Sequence, residues 1–218
     1  MRSVGIALLC SALCAGGVEA QQVTIDGGLT WLGGYAIGVS DAELRTNAPG
    51  ATPPPFTLFS ADSRLGATVG GEVRGGVDFG GWSVEGSAAY ARRRLAFSIS
   101  GDSEAAAASF DGESVQRYEF GAGVTWRLPW LHADRVRTFA AGGATYLREL
   151  HQDRTLVETG SVIYAGAGAR YWLWGRPDGR RSIGLRGDVR INVRRNAIDF
   201  EDNVRTYPSL SLLLFLAL

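Results

Sequence analysis

Residues 65–90 carry the pattern that decides the fold. They read LGATVGGEVRGGVDF (65–79), then Gly80-Gly81, then WSVEGSAAY (82–90). In both arms apolar residues alternate with charged, hydroxyl-bearing or glycine residues, and a period of two places successive side chains on opposite faces of a strand. The glycine pair supplies the positive φ that a two-residue hairpin turn needs. We therefore predict a long antiparallel hairpin with one aliphatic face and one face of mixed charges and glycine.

The same alternation recurs along the rest of the chain. It marks residues 23–39, 117–128, 137–149, 161–174, 183–194 and 207–218, which with the hairpin makes about eight strands. Residues 40–64, 101–116, 151–160 and 195–206 are predicted as longer loops, and 129–136 and 175–182 as shorter turns. An even number of strands with alternately short and longer connections is typical of transmembrane β-barrels. We predict an all-β fold, a closed antiparallel up-and-down transmembrane β-barrel.

Local patterns in three strands predict which side chains point outward and which point into the barrel. The first strand is expected to turn one apolar face outward, formed by Val23, Ile25, Leu29, Trp31, Tyr35, Ile37 and Val39. In the second hairpin arm the apolar positions change from even to odd numbers, which predicts a β-bulge at Arg92-Arg93-Arg94. In the fifth strand we expect Phe139, Ala141 and Leu147 to face outward and Tyr146 and Arg148 to face inward.

Composition narrows the class of protein. The formal net charge is +0, so there is no electrostatic case for a nucleic-acid partner. Glycine accounts for 30 of 218 residues without matching proline, which suits a curved sheet around a crowded interior.

The first twenty residues resemble an export signal. Arg2 is a short basic region, residues 4–15 are apolar, and Val18-Glu19-Ala20 offers a cleavage site. Both cysteines, Cys10 and Cys14, lie inside it, so the mature chain has no cysteine for a disulfide. We predict a signal peptide over 1–20 and one barrel domain over 21–218.

With these features the chain resembles the small eight-stranded outer-membrane β-barrel family of Gram-negative bacteria, the OmpA-like transmembrane barrels. The last strand resembles the family's assembly signal, with leucine at alternate positions: Leu210, Leu212, Leu214, Leu216 and Leu218. The family's final residue is normally aromatic, whereas here it is Leu218. The resemblance implies residence in the bacterial outer membrane after export, as a monomer. It also implies periplasmic chaperones and the barrel-assembly machinery as partners during biogenesis, and outer-membrane lipid and lipopolysaccharide as surroundings.

A secreted lipocalin-like barrel, with its apolar face inward, is the soluble alternative. The near absence of charge on the apolar face and the small residues on the polar face favour the membrane. So do aromatic residues near the predicted strand ends, as in interfacial girdles. These are Phe79, Trp82, Trp126, Trp130 and Trp174 at one end and Tyr35, Tyr90, Tyr118 and Tyr207 at the other.

The polar face supplies the candidate functional residues. The charges predicted to point into the lumen are Asp26, Glu72, Arg74, Asp78, Glu85, Arg117, Glu119, Arg127, Arg148, Arg170, Arg186, Asp188 and Arg190. An eight-stranded interior is only just wide enough for side chains, so these charges are expected to form a paired plug. A charged constriction that selects small solutes is the alternative.

Other chemistry finds less support in the sequence. The predicted mature chain has two histidines, His132 and His151, and neither belongs to a spacing that marks a catalytic triad or a metal site. Catalytic, metal and cofactor-binding residues are accordingly predicted as none. Arg92, Arg93 and Arg94 at the outer rim are candidates to bind lipopolysaccharide phosphates.

We therefore predict an outer-membrane barrel with a largely plugged lumen and a structural or interaction role through its extracellular loops. A narrow pore or a lateral path for small or apolar solutes is the alternative. An outer-leaflet lipid-modifying enzyme is the less favoured third reading.

Overall fold

The computed structural model describes residues 22–44, 56–102, 106–152, 156–177, 181–198 and 204–218. The predicted signal peptide lies outside these residues. No helix in the described ranges is long and apolar enough to span a membrane. The strands are β1 (Gln22–Leu32), β2 (Tyr35–Leu44), β3 (Phe56–Leu65), β4 (Thr68–Asp78), β5 (Trp82–Ser100), β6 (Ala108–Ala133), β7 (Val136–Leu150), β8 (Val157–Trp174), β9 (Ser182–Asn196) and β10 (Arg205–Ala217).

Eight of these strands pair in a closed antiparallel ring. Its order is β1-β4-β5-β6-β7-β8-β9-β10, and β10 returns to β1 along a ladder from Thr24↔Ala217 to Leu32↔Ser209. Strands β2 and β3 form a hairpin that continues β1 and β4 beyond the ring, and β3 pairs with the far half of β5. The predicted eight-stranded up-and-down barrel is confirmed.

The two ends of the barrel differ in their connections. At the short-turn end, residues 79–81, 134–135 and 175–181 join the strands, and Val23 pairs with Leu218. At the long-loop end the connections are 45–55, 101–107, 151–156 and 197–204. Two predicted loops are shorter than expected, because β3 begins at Phe56 and β6 at Ala108. The prolines at 53–55 lie outside the described residues.

Near the middle of the barrel the faces are as the alternation predicts. Val73 is 58% exposed and Leu212 is 62% exposed on the outer surface, whereas Glu72 and Arg74 are buried inside. An apolar exterior around a charged interior is the arrangement of a transmembrane barrel, and it contradicts the lipocalin-like alternative.

The interior at the long-loop end holds a cluster of apolar side chains beside several buried charged residues. Tyr35, Ile37 and Leu65 are buried there rather than facing outward. The reason is that the strands break at Gly33-Gly34 and Gly66-Ala67. In β1 and β4 the even-numbered residues point inward, whereas in β2 and β3, beyond the breaks, the odd-numbered residues do. We call the cluster formed here the apolar cap: Leu32, Tyr35, Ile37, Leu65, Ala91, Leu95, Val115, Ile198 and Tyr207. Tyr35 and Tyr207 therefore do not belong to an interfacial girdle.

Strand β5 keeps its facing throughout, so the bulge predicted at 92–94 is wrong. Arg93 and Leu95 point inward on the same odd-numbered face as Glu85. The register shift lies one step further on, between the pairs Arg94↔Ser114 and Ala96↔Asp111, where β6 has the extra residue. The apolar residues after Arg94 thus fill the apolar cap without any change of backbone parity.

The facing predicted for β7 is also wrong. Phe139, Ala141 and Leu147 are buried inside the barrel, whereas Tyr146 is 51% exposed and Arg148 points outward. Register with β6 sets this, because Tyr146 pairs with the outward Phe120 and Arg148 with Tyr118. The inward Phe139 lies beneath a buried arginine, so an aromatic ring takes a place among the lumen charges.

Adjacent glycines in β7 separate the crowded inner face from the open outer face. A Cβ at Gly143 would lie 2.4 Å from the carbonyl oxygen of Ala122 and 2.6 Å from the hydroxyl of Tyr164, whereas one at Gly142 would have its nearest contact at 3.6 Å. We expect Gly143→Ala to cost about 1–3 kcal/mol of unfolding free energy because it overpacks the interior. Gly142→Ala should stay within about 0.5 kcal/mol. Urea unfolding in lipid vesicles measures both, and equal effects would contradict the crowded lumen.

Candidate functional site: a charged network in the lumen

The lumen holds four carboxylates and four arginines that pair with one another. They come from five strands and are all buried: Asp26 from β1, Glu72 and Arg74 from β4, Glu85 from β5, Arg170 from β8, and Arg186, Asp188 and Arg190 from β9. We call these eight residues the lumen network. Its formal charges cancel, which is the condition under which so many buried charges are tolerated.

One half of the network is centred on Arg74. Its guanidinium donates two hydrogen bonds of 2.7 Å to Glu72 and one of 2.6 Å to Asp188. Glu72 also accepts a 2.8 Å hydrogen bond from the Ser211 hydroxyl. Arg190 Nε lies 3.0 Å from Asp188 Oδ1, and its Nη1 lies 3.6 Å from Glu72 Oε1. The two-pronged contact between Arg74 and Glu72 fixes both side chains across the inner face of β4.

The other half is centred on Arg186, which is fully buried. It donates hydrogen bonds of 2.7 and 2.9 Å to Glu85, one of 2.7 Å to Asp26 and one of 3.1 Å to Asp188. Arg170 adds a 3.0 Å bond to Glu85 and lies 3.9 Å from Asp26. Asp188 accepts from both Arg74 and Arg186, so it joins the two halves into one network.

Aromatic rings fill the remaining space beside the arginines. The Arg190 guanidinium carbon lies 4.4 Å from the centre of the Tyr164 ring, and that of Arg186 lies 4.7 Å from the Phe139 ring. Arg170 lies 5.7 Å from the Phe215 ring, which packs edge-on against Trp172. Such cation–π contacts are stronger where water is excluded. The rings therefore pack among the ion pairs inside the barrel.

A second charged group lies next to the apolar cap. Arg117 donates a 2.6 Å hydrogen bond to Glu119 and another to the Tyr207 hydroxyl. Arg194 donates to the Tyr35 hydroxyl and, at 3.2 Å, to the fully buried Glu149. The contact between Arg117 and Tyr207 links β6 to β10, which lie on opposite sides of the ring.

Arg93 occupies the strand breaks at the edge of the apolar cap. It is fully buried, and its guanidinium donates hydrogen bonds to the carbonyl oxygens of Gly33 and Gly66, which flank the two breaks. Its guanidinium carbon lies 4.7 Å from the centre of the Tyr35 ring. Arg93 thus satisfies carbonyls that the interrupted ladders leave without strand partners.

Most of the sequence-predicted charges lie inside the barrel, but not in one group. Eight form the lumen network, Arg117 and Glu119 lie beside the apolar cap, and Asp78 and Arg127 pair at 3.5 Å at the short-turn mouth. Arg148 does not belong with them, because it faces outward.

Three fully buried charged residues are missing from the set predicted to point into the lumen: Arg93, Glu149 and Arg194. Arg194 continues the alternation of Arg186, Asp188 and Arg190, so the pattern contained the signal. Glu149 shares the odd-numbered inner face of β7, which was assigned to the outside.

The three predicted rim arginines and the two histidines lie in different surroundings. Arg92 and Arg94 are exposed, but the buried Arg93 cannot bind a lipid headgroup, so that part of the prediction is wrong. His151 lies beside Glu113 and 3.6 Å from Glu158, whereas Ser161 is on the outer surface. The side chain of His132 lies outside the described part of the structure. The alternate leucines of β10 form an exposed outer row, and their role in assembly stays a prediction.

Three solved structures of bacterial surface and outer-membrane proteins are similar to the chain. Neisserial surface protein A (NspA) is 13% identical, with 93% of this chain and 99% of that chain covered and a TM-score of 0.49. OprG from Pseudomonas aeruginosa is 9% identical, with 92% of this chain and 95% of that chain covered, and also has a TM-score of 0.49. The outer membrane protease OmpT from Escherichia coli is 9% identical, with 90% of this chain and 94% of that chain covered, and has a TM-score of 0.28. No protein-family model and no curated protein sequence matches the chain. Likeness at this level concerns the fold alone.

Proposed function

We propose that the chain resides in the outer membrane of a Gram-negative bacterium and crosses it with its strands. The outward apolar band supports this location. On β6 it runs from Tyr118 to Trp126, and on β10 from Leu210 to Leu218, each about 27 Å along the strand. With a tilt of about 40° the band is about 21 Å tall, close to the roughly 25 Å of outer-membrane barrels. Exposed Trp126, Trp130 and Trp174 mark its short-turn edge.

We further propose that the barrel is closed to solutes and has a structural or interaction role through its long-loop end. The neutral, fully interlinked lumen network is the observation that carries this proposal. Its members are paired across the interior, and the apolar cap covers them at the long-loop end.

Conductance in planar bilayers tests the closed lumen. The unaltered protein is expected to insert without producing steady ion channels. A charge-balanced deletion, Glu72→Ala with Arg74→Ala, removes one acid and one base and keeps the network neutral. By itself this variant is expected to stay silent, because the apolar cap still covers the lumen at the long-loop end. Combined with Tyr35→Ala and Tyr207→Ala, which open the cap, it is expected to conduct, because the vacated space is polar and can fill with water.

The matched control removes an ion pair from the surface. Arg94 and Asp111 lie 3.4 Å apart with side chains 75% and 77% exposed, so Arg94→Ala with Asp111→Ala should leave the barrel silent. Strong, ion-selective conductance from the unaltered protein would overturn the closed lumen in favour of a narrow pore.

A further inference from the structure

The outer surface just beyond the apolar band carries a cationic and aromatic patch on β5, β6 and β7. Tyr90, Tyr118 and Arg148 lie side by side in one row, because they pair successively across the three strands. Arg92 lies one row further out and pairs with Gln116. Arg92 and Arg148 both face outward and are exposed. The tyrosine rings contact each other with centroids 5.1 Å apart.

Neutral side chains surround the two arginines in the described parts of these strands. Gln116 and Tyr118 separate them, and Thr159 pairs with Arg148 from β8. Of the acidic residues near this level, Glu119 and Glu149 lie on the inner face and are engaged by buried arginines. Glu113 and Glu158 lie beside His151. Arg92 donates one hydrogen bond, of 2.8 Å, to the Ser114 hydroxyl. The patch is therefore positively charged toward the membrane surface.

An apolar groove opens directly below the tyrosines, within the membrane band. It is a shallow, open depression of about 410 Å³, and its outward lining includes Gly71, Val73, Ala88, Tyr90 and Phe120. A methyl group at Gly71 would meet no atom of the chain within 4 Å, unlike one at the inward Gly70. The packing of the barrel itself therefore does not require a glycine at Gly71, and the groove stays open toward the lipid.

We propose that this patch and groove bind a phosphorylated glycolipid of the outer leaflet, of the class of lipid A. Arg92 and Arg148 would bind its phosphates, Gln116 and the Tyr118 hydroxyl its sugar, and the groove an acyl chain. The inference rests on the proposed outer-membrane location. Two strand spacings and two residues of offset separate the arginines by about 12 Å. That spacing suits a wide headgroup with two phosphates better than a single-phosphate lipid, because each guanidinium can bind one phosphate through two hydrogen bonds.

Native mass spectrometry of the detergent-solubilised protein, titrated with purified bisphosphorylated lipid A, tests the site. We expect Arg92→Gln with Arg148→Gln to weaken binding about tenfold or more. The matched control, Arg135→Gln with Arg176→Gln, removes the same charge from exposed positions at the short-turn end. It should change binding less than about twofold. Unchanged binding in the first variant, or equal loss in both, would overturn the proposal.

Two further measurements separate a lipid site from an ion site. Gly71→Leu places a side chain in the groove at a position where a Cβ meets no atom of the chain within 4 Å. It should therefore weaken lipid A binding while leaving urea stability unchanged. Inorganic phosphate at millimolar concentration should not displace lipid A, and displacement would identify a free-anion site instead. A protein that inserts into vesicles but does not retain lipid A contradicts this inference alone. A protein that fails to insert contradicts the proposed location.

Discussion

Replacing Arg186 with methionine is expected to destabilise the barrel by about 3–5 kcal/mol. Arg186 is fully buried and donates hydrogen bonds to Glu85, Asp26 and Asp188. Without it, Asp26 keeps only Arg170 at 3.9 Å as an ion-pair partner. A buried carboxylate without compensation carries most of its desolvation penalty, which is why breaking a buried pair costs far more than the pair contributes.

Urea unfolding in lipid vesicles, followed by tryptophan fluorescence, measures this cost. Arg94→Met is the control, because its ion pair with Asp111 is solvated and contributes at most about 1 kcal/mol. Adding Asp26→Asn to Arg186→Met should recover part of the loss, since the substitution removes one of the uncompensated charges. If Arg186→Met costs no more than the control, water penetrates the lumen and the plug does not exist.

Replacing Val189 with arginine is expected to cost about 2–4 kcal/mol in a bilayer, because it places a charge on the lipid-facing surface near mid-membrane. Val39 provides a matched control. The two valines are almost equally exposed, at 54% and 53%, but Val39 lies on β2 beyond the apolar band. Val39→Arg should therefore change stability by less than about 0.5 kcal/mol.

The pair of substitutions separates exposure to lipid from exposure to water. Their unfolding free energies are compared in vesicles, with the same urea assay. A soluble barrel would tolerate both arginines, since both sites would then be solvated. Equal and small effects in vesicles would accordingly contradict the transmembrane orientation, whatever the state of the lumen.

Strict alternation determined the central part of the fold from the sequence. Val73 and Val77 against Glu72, Arg74 and Asp78 can only be a strand with one charged face. A complete β10 row of leucines likewise assigns the outside of the barrel. In these strands the residue type predicts whether a side chain faces lipid or the lumen, because apolar residues suit the lipid and polar residues suit the narrow lumen. Strand number and the alternation of short and longer connections followed from the same pattern.

Only the tertiary structure shows where the alternation stops predicting which residues face outward. Tyr35, Ile37 and Leu65 continue an apolar series in the sequence, yet the breaks at Gly33-Gly34 and Gly66-Ala67 turn them inward. Beyond the membrane band the interior holds apolar side chains as well as charged ones, so an apolar residue no longer identifies the outer face. Residue type therefore predicts facing only where the two sides of the sheet meet different solvents.

The pairing of the lumen charges was likewise beyond the sequence. Arg186 and Glu85 are 101 positions apart, and Arg194 and Glu149 are 45 apart. Only the closure of the ring and the register of each ladder bring these side chains to the same height. Phe139 and Leu147 lie inside for the same reason, because the register with β6 assigns their face and the arginines of neighbouring strands cover the Phe139 ring. Alternation chooses a face for each residue, but the partner across a closed barrel is set by strand order and stagger.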